Sequence, residues 1–316
     1  MKIELGVNNM PKVSVIIPTY NRAYLIGRAI QSVLDQSYHD FEIIIIDDGS
    51  TDNTEEVVKE FQKKDERIRY IKHKGNKGYP KALNTGIKAA RGEYIAFQDS
   101  DDEWLPEKLK KQMEVFKNAS SDVGVVYTGF LRIEKDKKIY IPPSWVTHKE
   151  GNIHKELLKR NFVGTPAAIV KKECFEKTGM FDEYLPCFQD WELWIRISKY
   201  YQFRYIAEPL INAYCTPDSI SANPEALTRA WKLILKKHLN DIRQNRNLLS
   251  RHYSVIGFFL CSQGKLKEGR SYFIKAIISY PCNIKFFLGI FFSFFGARFY
   301  NRMLKIKKLI MPDRKD

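Results

Sequence analysis

Three carboxylates stand within four residues of one another, directly after an apolar run from Tyr94 to Gln98. They are Asp99, Asp101 and Asp102. Carboxylates held this close repel one another unless a cation lies among them, and hard oxygen ligands suit Mg²⁺ or Mn²⁺ that also binds a substrate phosphate. The spacing therefore predicts the metal and diphosphate site of an enzyme. An acidic turn before a helix that begins near Pro106 is the open alternative, because Asp is common at helix N-termini.

The elements that would position these acids alternate between strands and helices. Continuous apolar runs begin at Val13, Phe41 and Tyr94, and apolar residues at helical spacing fill the stretches between them. This alternation indicates a parallel sheet covered by helices on both faces, and such sheets bind ligands beyond the carboxyl ends of their strands. Three loops follow such ends: Pro18 to Tyr20, Asp47-Asp48, and Asp99 to Asp102. We therefore expect them to meet in one crevice.

Composition sets the class of protein. The 316 residues include 44% apolar and 28% charged residues, which is typical of a folded chain with one good core and a second, smaller one. The first eleven residues lack a basic segment followed by an apolar run, so we expect no signal peptide and a cytoplasmic location. Five scattered cysteines without a CxxC pair argue against a zinc site and against a disulfide framework.

The positive charge is concentrated at one end of the chain. Residues 1–222 contain 33 Lys and Arg against 32 Asp and Glu, whereas residues 223–316 contain 19 against 5. Strand patterns also fade after Asn223, so we predict two domains, residues 1–222 and a basic helical domain of residues 223–316. The excess implies an anionic partner: nucleic acid, lipid headgroups or a polyanionic substrate. Because no RNA- or DNA-binding module is recognisable, nucleic acid ranks last and is not expected as a partner.

The basic part contains two further patterns. The spacing of small and apolar residues from Gly257 to Pro281 fits one tetratricopeptide-like helical hairpin. A phenylalanine-rich run from Ile284 to Phe295 then precedes the basic residues Arg298, Arg302, Lys305, Lys307 and Lys308. As a helix the run spans only about 15 Å, half of a bilayer core, so it predicts an interfacial contact with an anionic membrane and not a spanning helix. A core helix or a dimer contact stays open.

Five motifs in this order resemble the family 2 inverting glycosyltransferases of the GT-A fold, in particular those of bacterial cell-surface polysaccharides. The motifs are Val13–Arg22, Ile46–Asp52, Asn76–Gly78, Gly92–Asp102, and Gly179–Asp182 followed by Gln189–Trp194. The resemblance covers roughly residues 11–222. It implies an α/β fold with a Rossmann-like, mostly parallel sheet flanked by helices, to which the C-terminal all-helical extension would be added.

The resemblance also implies roles for the matching residues. Asp190 would be the catalytic base, Asp101 would ligate Mn²⁺ or Mg²⁺ directly, and Asp99 would serve both the metal and the ribose side of the nucleotide. Asp102 would support them. Asp48 would accept a hydrogen bond from the donor base. The implied nucleotide-binding residues are Pro18, Thr19, Tyr20, Arg22, Asp48, Lys77, Lys81, Asp99 and Ser100. Structural alternatives stay open: a strand end at Pro18, a turn at Asp48 and a helix N-cap at Asp190.

The sequence departs from the family pattern at two places. Gln189 stands where an acid usually precedes the base, and Lys81 lies one position from the expected diphosphate-binding residue, with Lys77 as the alternative. The processive Gln-x-x-Arg-Trp signature is absent, which favours addition of a single sugar. The expected function is therefore inverting transfer from a UDP-sugar to a hydroxyl of a glycan or lipid-linked saccharide, at the inner face of the cell membrane. A non-catalytic sugar-nucleotide-binding or scaffold protein acting through its helical domain is the alternative.

Overall fold

The computed structural model describes residues 10–135, 137–215, 223–281 and 283–310, apart from the side chains of residues 304–310. The chain divides into two compact units, Met1–Glu183 with Gln189–Pro217, and Tyr184–Phe188 with Asp218–Asp316. The first is an α/β unit and the second is helical. The expected boundary between residues 222 and 223 falls at the edge of residues 216–222, outside the described residues, and it stays a prediction.

The first unit contains nine strands that form one sheet, counted over the described residues. The strands are β1 Val13–Thr19, β2 Phe41–Asp47, β3 Ile68–Lys72, β4 Tyr94–Phe97, β5 Glu103–Trp104, β6 Val123–Glu134, β7 Lys137–Ile141, β8 Ala168–Lys171 and β9 Gln202–Tyr214. Their order is β3-β2-β1-β4-β8-β6-β9-β5, with β7 paired to β6. The helices are α1 Ala23–Leu34, α2 Thr54–Gln62, α3 Tyr79–Ala89, α4 Lys108–Asn118, α5 His154–Leu157, α6 Lys172–Thr178 and α7 Gln189–Ile197, with a 3₁₀ turn at Thr165–Ala167.

Half of the sheet is parallel, as predicted. β2 pairs with β3 and β1, and β1 pairs with β4, all in parallel register. Every residue of β1, β2 and β4 is buried, which explains why these strands are continuously apolar. Thr19 lies opposite Asp47, and Ile16 lies opposite Phe97, so the three strands end side by side. The loops after β1, β2 and β4 therefore leave the same edge of the sheet.

The prediction of a mostly parallel sheet is wrong for the other half. β8 runs antiparallel to both β4 and β6, β7 runs antiparallel to β6, and β5 runs antiparallel to β9. Between β6 and β9 the pairing is parallel. No single crossover helix joins β4 to its neighbour β8, because the chain first forms β5, α4, β6 and β7, so nothing imposes a parallel direction. The α/β sheet is therefore mixed.

The second unit is all-helical over its described residues, as expected. Its helices are α8 Pro224–Lys237, α9 Leu239–Ile242, α10 Arg246–Ser262, α11 Leu266–Ser279, α12 Ile284–Ser293 and α13 Ala297–Ile310. α10 and α11 approach closely at Gly269, where an added Cβ would lie 2.3 Å from Cys261 Sγ and 3.0 Å from the Gly257 carbonyl oxygen. This hairpin coincides with the predicted tetratricopeptide-like unit, whose assignment to that repeat stays a prediction.

Apolar side chains fill the interior of the helical unit. One buried cluster consists of Cys261, Phe273, Ala276, Phe286 and Tyr300, and Ile234, Ile242 and Ile256 are also buried. Within the described residues, none of the helices has both the length and the apolar character that crossing a membrane requires.

Candidate active site

Side-chain hydrogen bonds join the loops after β1 and β2. Asn21 has a φ of 51°, a left-handed conformation that Asn tolerates better than most residues. Its backbone N–H donates to Ser50 Oγ over 2.8 Å, and its side-chain Oδ1 accepts from the N–H of Thr51 over 2.8 Å. The Asp48 N–H donates to the Thr19 carbonyl oxygen, also over 2.8 Å. These bonds hold the predicted nucleotide-binding loops against each other.

The residues at the end of β1 differ in exposure. Pro18 and Thr19 are buried, whereas Tyr20 is 42% exposed. Thr19 Oγ1 has no hydrogen-bond partner in the described structure although it is buried. Because most buried polar atoms are paired, this hydroxyl is a candidate ligand contact. Arg22 begins α1 as its N-cap, with its backbone N–H donating to Thr54 Oγ1 over 3.1 Å.

Asp48 is buried and fixes the loop that precedes α3. Its Oδ1 accepts from the N–H of Lys77 over 2.8 Å and lies 2.7 Å from His73 Nδ1, and its Oδ2 accepts from the N–H of Gly78 over 2.7 Å. An ionised carboxylate can only accept, so this network assigns the proton to Nδ1 of His73. Carboxylate oxygens have about four lone-pair sites. Three are used here, which leaves one on Oδ2 for a ligand.

Asp99 lies at the end of β4 in contact with Tyr79. The Tyr79 hydroxyl donates to Asp99 Oδ1 over 2.6 Å. Burial, followed by the charges of Asp101 and Asp190, raises the pKa of Asp99 to about 7 against the lowering effect of the tyrosine hydrogen bond. The pKa of Tyr79 is raised as well, first by burial and then by Asp99, with Asp190 and Asp101 contributing. The carboxylates after β4 and the carboxylate of α7 therefore lie within electrostatic reach of one another.

Asp101 and Asp102, the other two acids after β4, are held by contacts with β9 and α1. Asp102 Oδ1 accepts from the N–H of Tyr214 in β9 over 3.0 Å, and burial raises its pKa well above the usual range. The Arg28 guanidinium donates to the Asp101 carbonyl oxygen. Arg28 in turn lies 4.1 Å from the centre of the Tyr214 ring. Ser100 is buried between the acids. Asp102 thus fastens the loop, which fits the supporting role expected of it.

Asp190 stands in the first turn of α7. Its Oδ2 accepts from Asn161 Nδ2 over 2.8 Å, and its Oδ1 accepts from the N–H of Trp191 over 2.7 Å. Burial raises the pKa of Asp190, while these two bonds and the side chain of Thr165 lower it. An N-cap side chain would bind an N–H two or three residues onward, and the Asp190 carboxylate binds that of the next residue instead. It is a partly buried, hydrogen-bonded carboxylate, which suits a general base.

The two candidate diphosphate-binding lysines lie apart from the acids. Lys77 is exposed, and its backbone N–H is what contacts Asp48. The Lys81 ammonium lies 4.0 Å from Glu183 Oε2. Among the described residues, neither ammonium forms an ion pair with Asp99 or Asp101. The geometry does not distinguish between the two lysines.

Sequence reasoning missed three side chains that hold the candidate site residues. They are His73, Tyr79 and Asn161, which contact Asp48, Asp99 and Asp190 in turn. Tyr79 was detectable in principle, because it follows Gly78 at the start of α3 and faces the same edge of the sheet. Asn161 lies in an irregular segment, where neither spacing nor periodicity marks it.

The donor set fits a cation only together with a ligand. No group of three or more His, Cys, Asp or Glu side chains in the described part of the chain is arranged to hold a metal ion by itself. Asp101 and Asp99 nevertheless supply carboxylate oxygens at one sheet edge, and the charge of Asp101 contributes to the raised pKa of Asp99. Mg²⁺ and similar hard cations are commonly bound by one or two carboxylates, with substrate phosphates and water completing the coordination. The residues present fit that arrangement.

Sequence comparison identifies a family. The model of glycosyl transferase family 2 matches residues 14–179. The chain is 33% identical over 232 residues to the putative teichuronic acid biosynthesis glycosyltransferase TuaG of Bacillus subtilis, covering 71% of this chain and 87% of that protein. It is 32% identical over 236 residues to an uncharacterized glycosyltransferase of Rickettsia bellii, covering 72% of this chain. The chain spans about a third of the length of that relative, 34%.

Solved structures share the fold. TarS 1–349 of S. aureus in complex with UDP-GlcNAc superposes with a TM-score of 0.67 at 22% identity, covering 85% of this chain and 81% of that one. The mannosyltransferase PcManGT of Pyrobaculum calidifontis, in complex with GDP-Man and Mn²⁺, superposes with a TM-score of 0.56 at 19% identity, covering 85% and 74%. The first unit therefore has a GT-A-like mixed sheet.

Proposed function

Since the chain belongs to glycosyl transferase family 2, we propose that it transfers a single sugar from a nucleotide-sugar donor to an acceptor hydroxyl, with inversion at the anomeric carbon. One observation carries this proposal. Asp190 lies close enough to raise the pKa of Asp99 and of Tyr79, although the two acids are far apart in sequence. A candidate base and a candidate leaving-group site thus lie within electrostatic reach of each other, and a direct displacement needs them close together.

The donor is a UDP-sugar in this proposal. The free lone pair of Asp48 Oδ2 accepts an N–H from the uracil edge, and the buried hydroxyl of Thr19 gives the nucleotide a second polar contact. Pro18, Tyr20, Arg22 and Ser100 line the same pocket, with Lys77 or Lys81 near the diphosphate. The complex of TarS with UDP-GlcNAc supports the choice of nucleotide by analogy of fold.

Asp101 and Asp99 hold Mn²⁺ or Mg²⁺ together with the donor diphosphate. When bound, the cation supplies positive charge that stabilises the departing nucleoside diphosphate. The PcManGT complex with Mn²⁺ supports this choice of cofactor. Tyr79 and the Tyr214 N–H keep Asp99 and Asp102, the carboxylates that flank Asp101, in place.

Asp190 is the catalytic base. It takes the proton of the acceptor hydroxyl while that oxygen forms a bond to the anomeric carbon, and the bond from that carbon to the diphosphate oxygen breaks on the opposite face. A single displacement of this kind inverts the configuration. Asn161 Nδ2 and the Trp191 N–H fix the carboxylate for this task. General-base assistance contributes about 10²–10⁴ in rate.

The acceptor is a glycan or lipid-linked saccharide of the cell envelope, by analogy with TuaG. The protein acts at the inner face of the cell membrane, where the basic helical unit contacts anionic lipid. The α10–α11 hairpin acts there as one tetratricopeptide-like unit. These statements extend the family assignment to the whole chain and are proposals throughout.

A donor screen tests the proposal. The full chain is incubated with Mn²⁺, a panel of UDP-GlcNAc, UDP-Glc, UDP-Gal and GDP-Man, and bacterial membranes as acceptor, and released nucleoside diphosphate is measured. We expect release from one UDP-sugar and none after chelation of the metal. The alternative, a non-catalytic sugar-nucleotide-binding protein, is favoured only by Gln189. Donor binding without any release across the panel would support that alternative and overturn the assignment as an enzyme.

A further inference from the structure

Helix α12 has two apolar faces, and only one of them is buried. Phe286, Gly289 and Ser293 face inward, and Phe286 is 3% exposed. The other face has apolar residues at spacings of three and four, which form one stripe along a helix. They are Ile284, Phe287, Leu288 and Phe291 of α12, with Phe295 in the turn directly after it, each between 44% and 70% exposed. A helix that is apolar on all sides and half exposed lacks a partner on its outer face.

Packing within the unit fixes which face points outward. At Gly289 an added Cβ would lie 2.6 Å from Phe273 Cζ, so the helix backbone rests directly on that ring. Arg270 Nη1 donates a hydrogen bond to the backbone carbonyl oxygen of Ser293 over 3.3 Å. Rotating α12 to bury the outer face would break both contacts and would expose Phe286. The outer face is therefore available for a partner.

The outer aromatic rings form a continuous surface. The ring of Phe295 lies 5.1 Å from that of Phe291 and 5.1 Å from that of Phe299 in α13, measured between centroids. Phe294 adds a ring that is 68% exposed. The Arg270 guanidinium carbon lies 4.6 Å from the centre of this ring. Aromatic side chains beside guanidinium groups suit the boundary between lipid headgroups and acyl chains.

The charge around this surface has one sign. Between Gly269 and Pro312 the sequence contains eight Lys and Arg residues and no Asp or Glu. Lys285, Arg298 and Arg302 are exposed, one near the start of α12 and two in α13. Two acids of the helical unit are paired with lysines of the same unit: Glu225 pairs with Lys265, and Glu268 pairs with Lys232. The rim of a protein–protein interface usually contains charges of both signs, whereas the surface of an anionic bilayer is negative throughout.

We propose that the outer face of α12, defined by Phe287, Phe291 and Phe295, inserts into the surface of an anionic bilayer, with Arg298 and Arg302 binding lipid phosphates. Ten residues of helix extend about 15 Å, so α12 lies in the plane of the interface. This specifies the membrane contact of the proposed function. Binding to lipid is measured without sugar transfer, so the two proposals fail independently.

Vesicle sedimentation tests the surface. We expect the full chain to sediment with vesicles of phosphatidylcholine containing phosphatidylglycerol, and far less with phosphatidylcholine alone or at high salt. Replacing Phe287, Phe291 and Phe295 together by Ser is expected to lower the apparent affinity at least tenfold. The pair Arg298→Gln and Arg302→Gln is expected to lower it by about fivefold for each charge removed. Three exposed apolar residues of other surfaces, Ile139, Tyr200 and Leu239, changed together to Ser, serve as the matched control.

Two outcomes overturn the proposal. One is a phenylalanine triple variant that binds anionic vesicles as tightly as the parent chain. The other is a parent chain that is a stable dimer in solution and that becomes monomeric in the same variant, which would make a second copy of the chain the occupant of this face. All three rings are exposed in the parent, so their replacement should leave the helical unit folded, and circular dichroism of each variant checks this.

Discussion

Replacing Asn161 by Leu removes a hydrogen bond that keeps Asp190, the proposed base, ionised. Asn161 Nδ2 donates to Asp190 Oδ2 over 2.8 Å, and this bond lowers a pKa that burial raises. Leu has a similar size and cannot donate. Without the bond, the ionised carboxylate is less stable and the pKa of Asp190 rises. Because the base must be ionised to act, the acid side of the pH profile of kcat/KM is expected to move upward.

The free energy of the lost hydrogen bond sets the magnitude of the shift in the pKa of Asp190. A hydrogen bond to a charged group contributes about 1.5–3 kcal/mol, and about 1.4 kcal/mol corresponds to one pKa unit. The acid limb is therefore expected to move by about one to two pH units. Asn161→Asp keeps the side-chain oxygen that accepts from the Val163 N–H over 3.2 Å, but it places a second carboxylate against Asp190. The acid limb of the pH profile of this Asp variant is expected to move upward at least as far as that of the Leu variant, because like charges disfavour ionisation.

The assay is release of nucleoside diphosphate from the accepted donor between pH 5 and pH 9. Rates of the Leu variant and the parent should converge at the alkaline end, where Asp190 is ionised in both. Asn118→Leu is the matched control, since the Asn118 side chain donates only to the Glu114 carbonyl oxygen on the surface of α4. An unchanged acid limb, or a loss of activity that is equal at every pH, would refute the reasoning about Asn161.

Three further changes test other parts of the structure. Asp190→Asn is expected to lower kcat by about 10²–10⁴ with little change in the KM for the donor, and full activity would remove the assignment of the base. Asp101→Asn should raise the Mn²⁺ concentration that gives the half-maximal rate by about 10–100-fold, which is the loss of metal affinity seen when a group that supports a metal ligand is removed. An unchanged metal titration would exclude Asp101 as a ligand. Gly92→Ala would place a Cβ 2.7 Å from the Ser14 backbone nitrogen, so urea unfolding should show a loss of about 1–3 kcal/mol. Gly75→Ala, with no atom within 4 Å of its Cβ, should change stability by less than about 0.5 kcal/mol, and equal losses would contradict the packing argument.

Local patterns predicted the parallel half of the sheet because each signal there lies in one short segment. The runs that form β1, β2 and β4 are continuously apolar, and a helix of nine or more residues follows each of β1 and β2. That combination leaves little choice of strand direction. β8 is also a short apolar run, but its direction depends on pairing with strands that lie far away in sequence. No local pattern records such a pairing, so the mixed sheet was not predictable.

The same distinction applies to the candidate site. Asp48, Asp99, Asp101 and Asp190 lie in motifs that can be read along the chain, and the shared sheet edge of the first three followed from the parallel strands that precede them. His73, Tyr79 and Asn161 act through contacts with residues 25, 20 and 29 positions away. Loop conformation decides which side chain fills those places. A sequence motif can thus identify a carboxylate without identifying the side chains that hydrogen-bond to it.

Gln189 illustrates what such groups contribute. It is 7% exposed, and its Oε1 has no hydrogen-bond partner among the described residues. A carboxylate at this buried position would lie beside Asp190 in sequence and would raise the pKa of Asp190 further, since burial already disfavours its ionised form. The neutral amide adds no such repulsion, and hydrogen bonds from Asn161 and the Trp191 N–H favour the ionised form of Asp190 against the effect of burial. The departure from the family pattern is therefore compatible with catalysis, because it lowers the electrostatic cost of ionising Asp190, the carboxylate that we propose as the base.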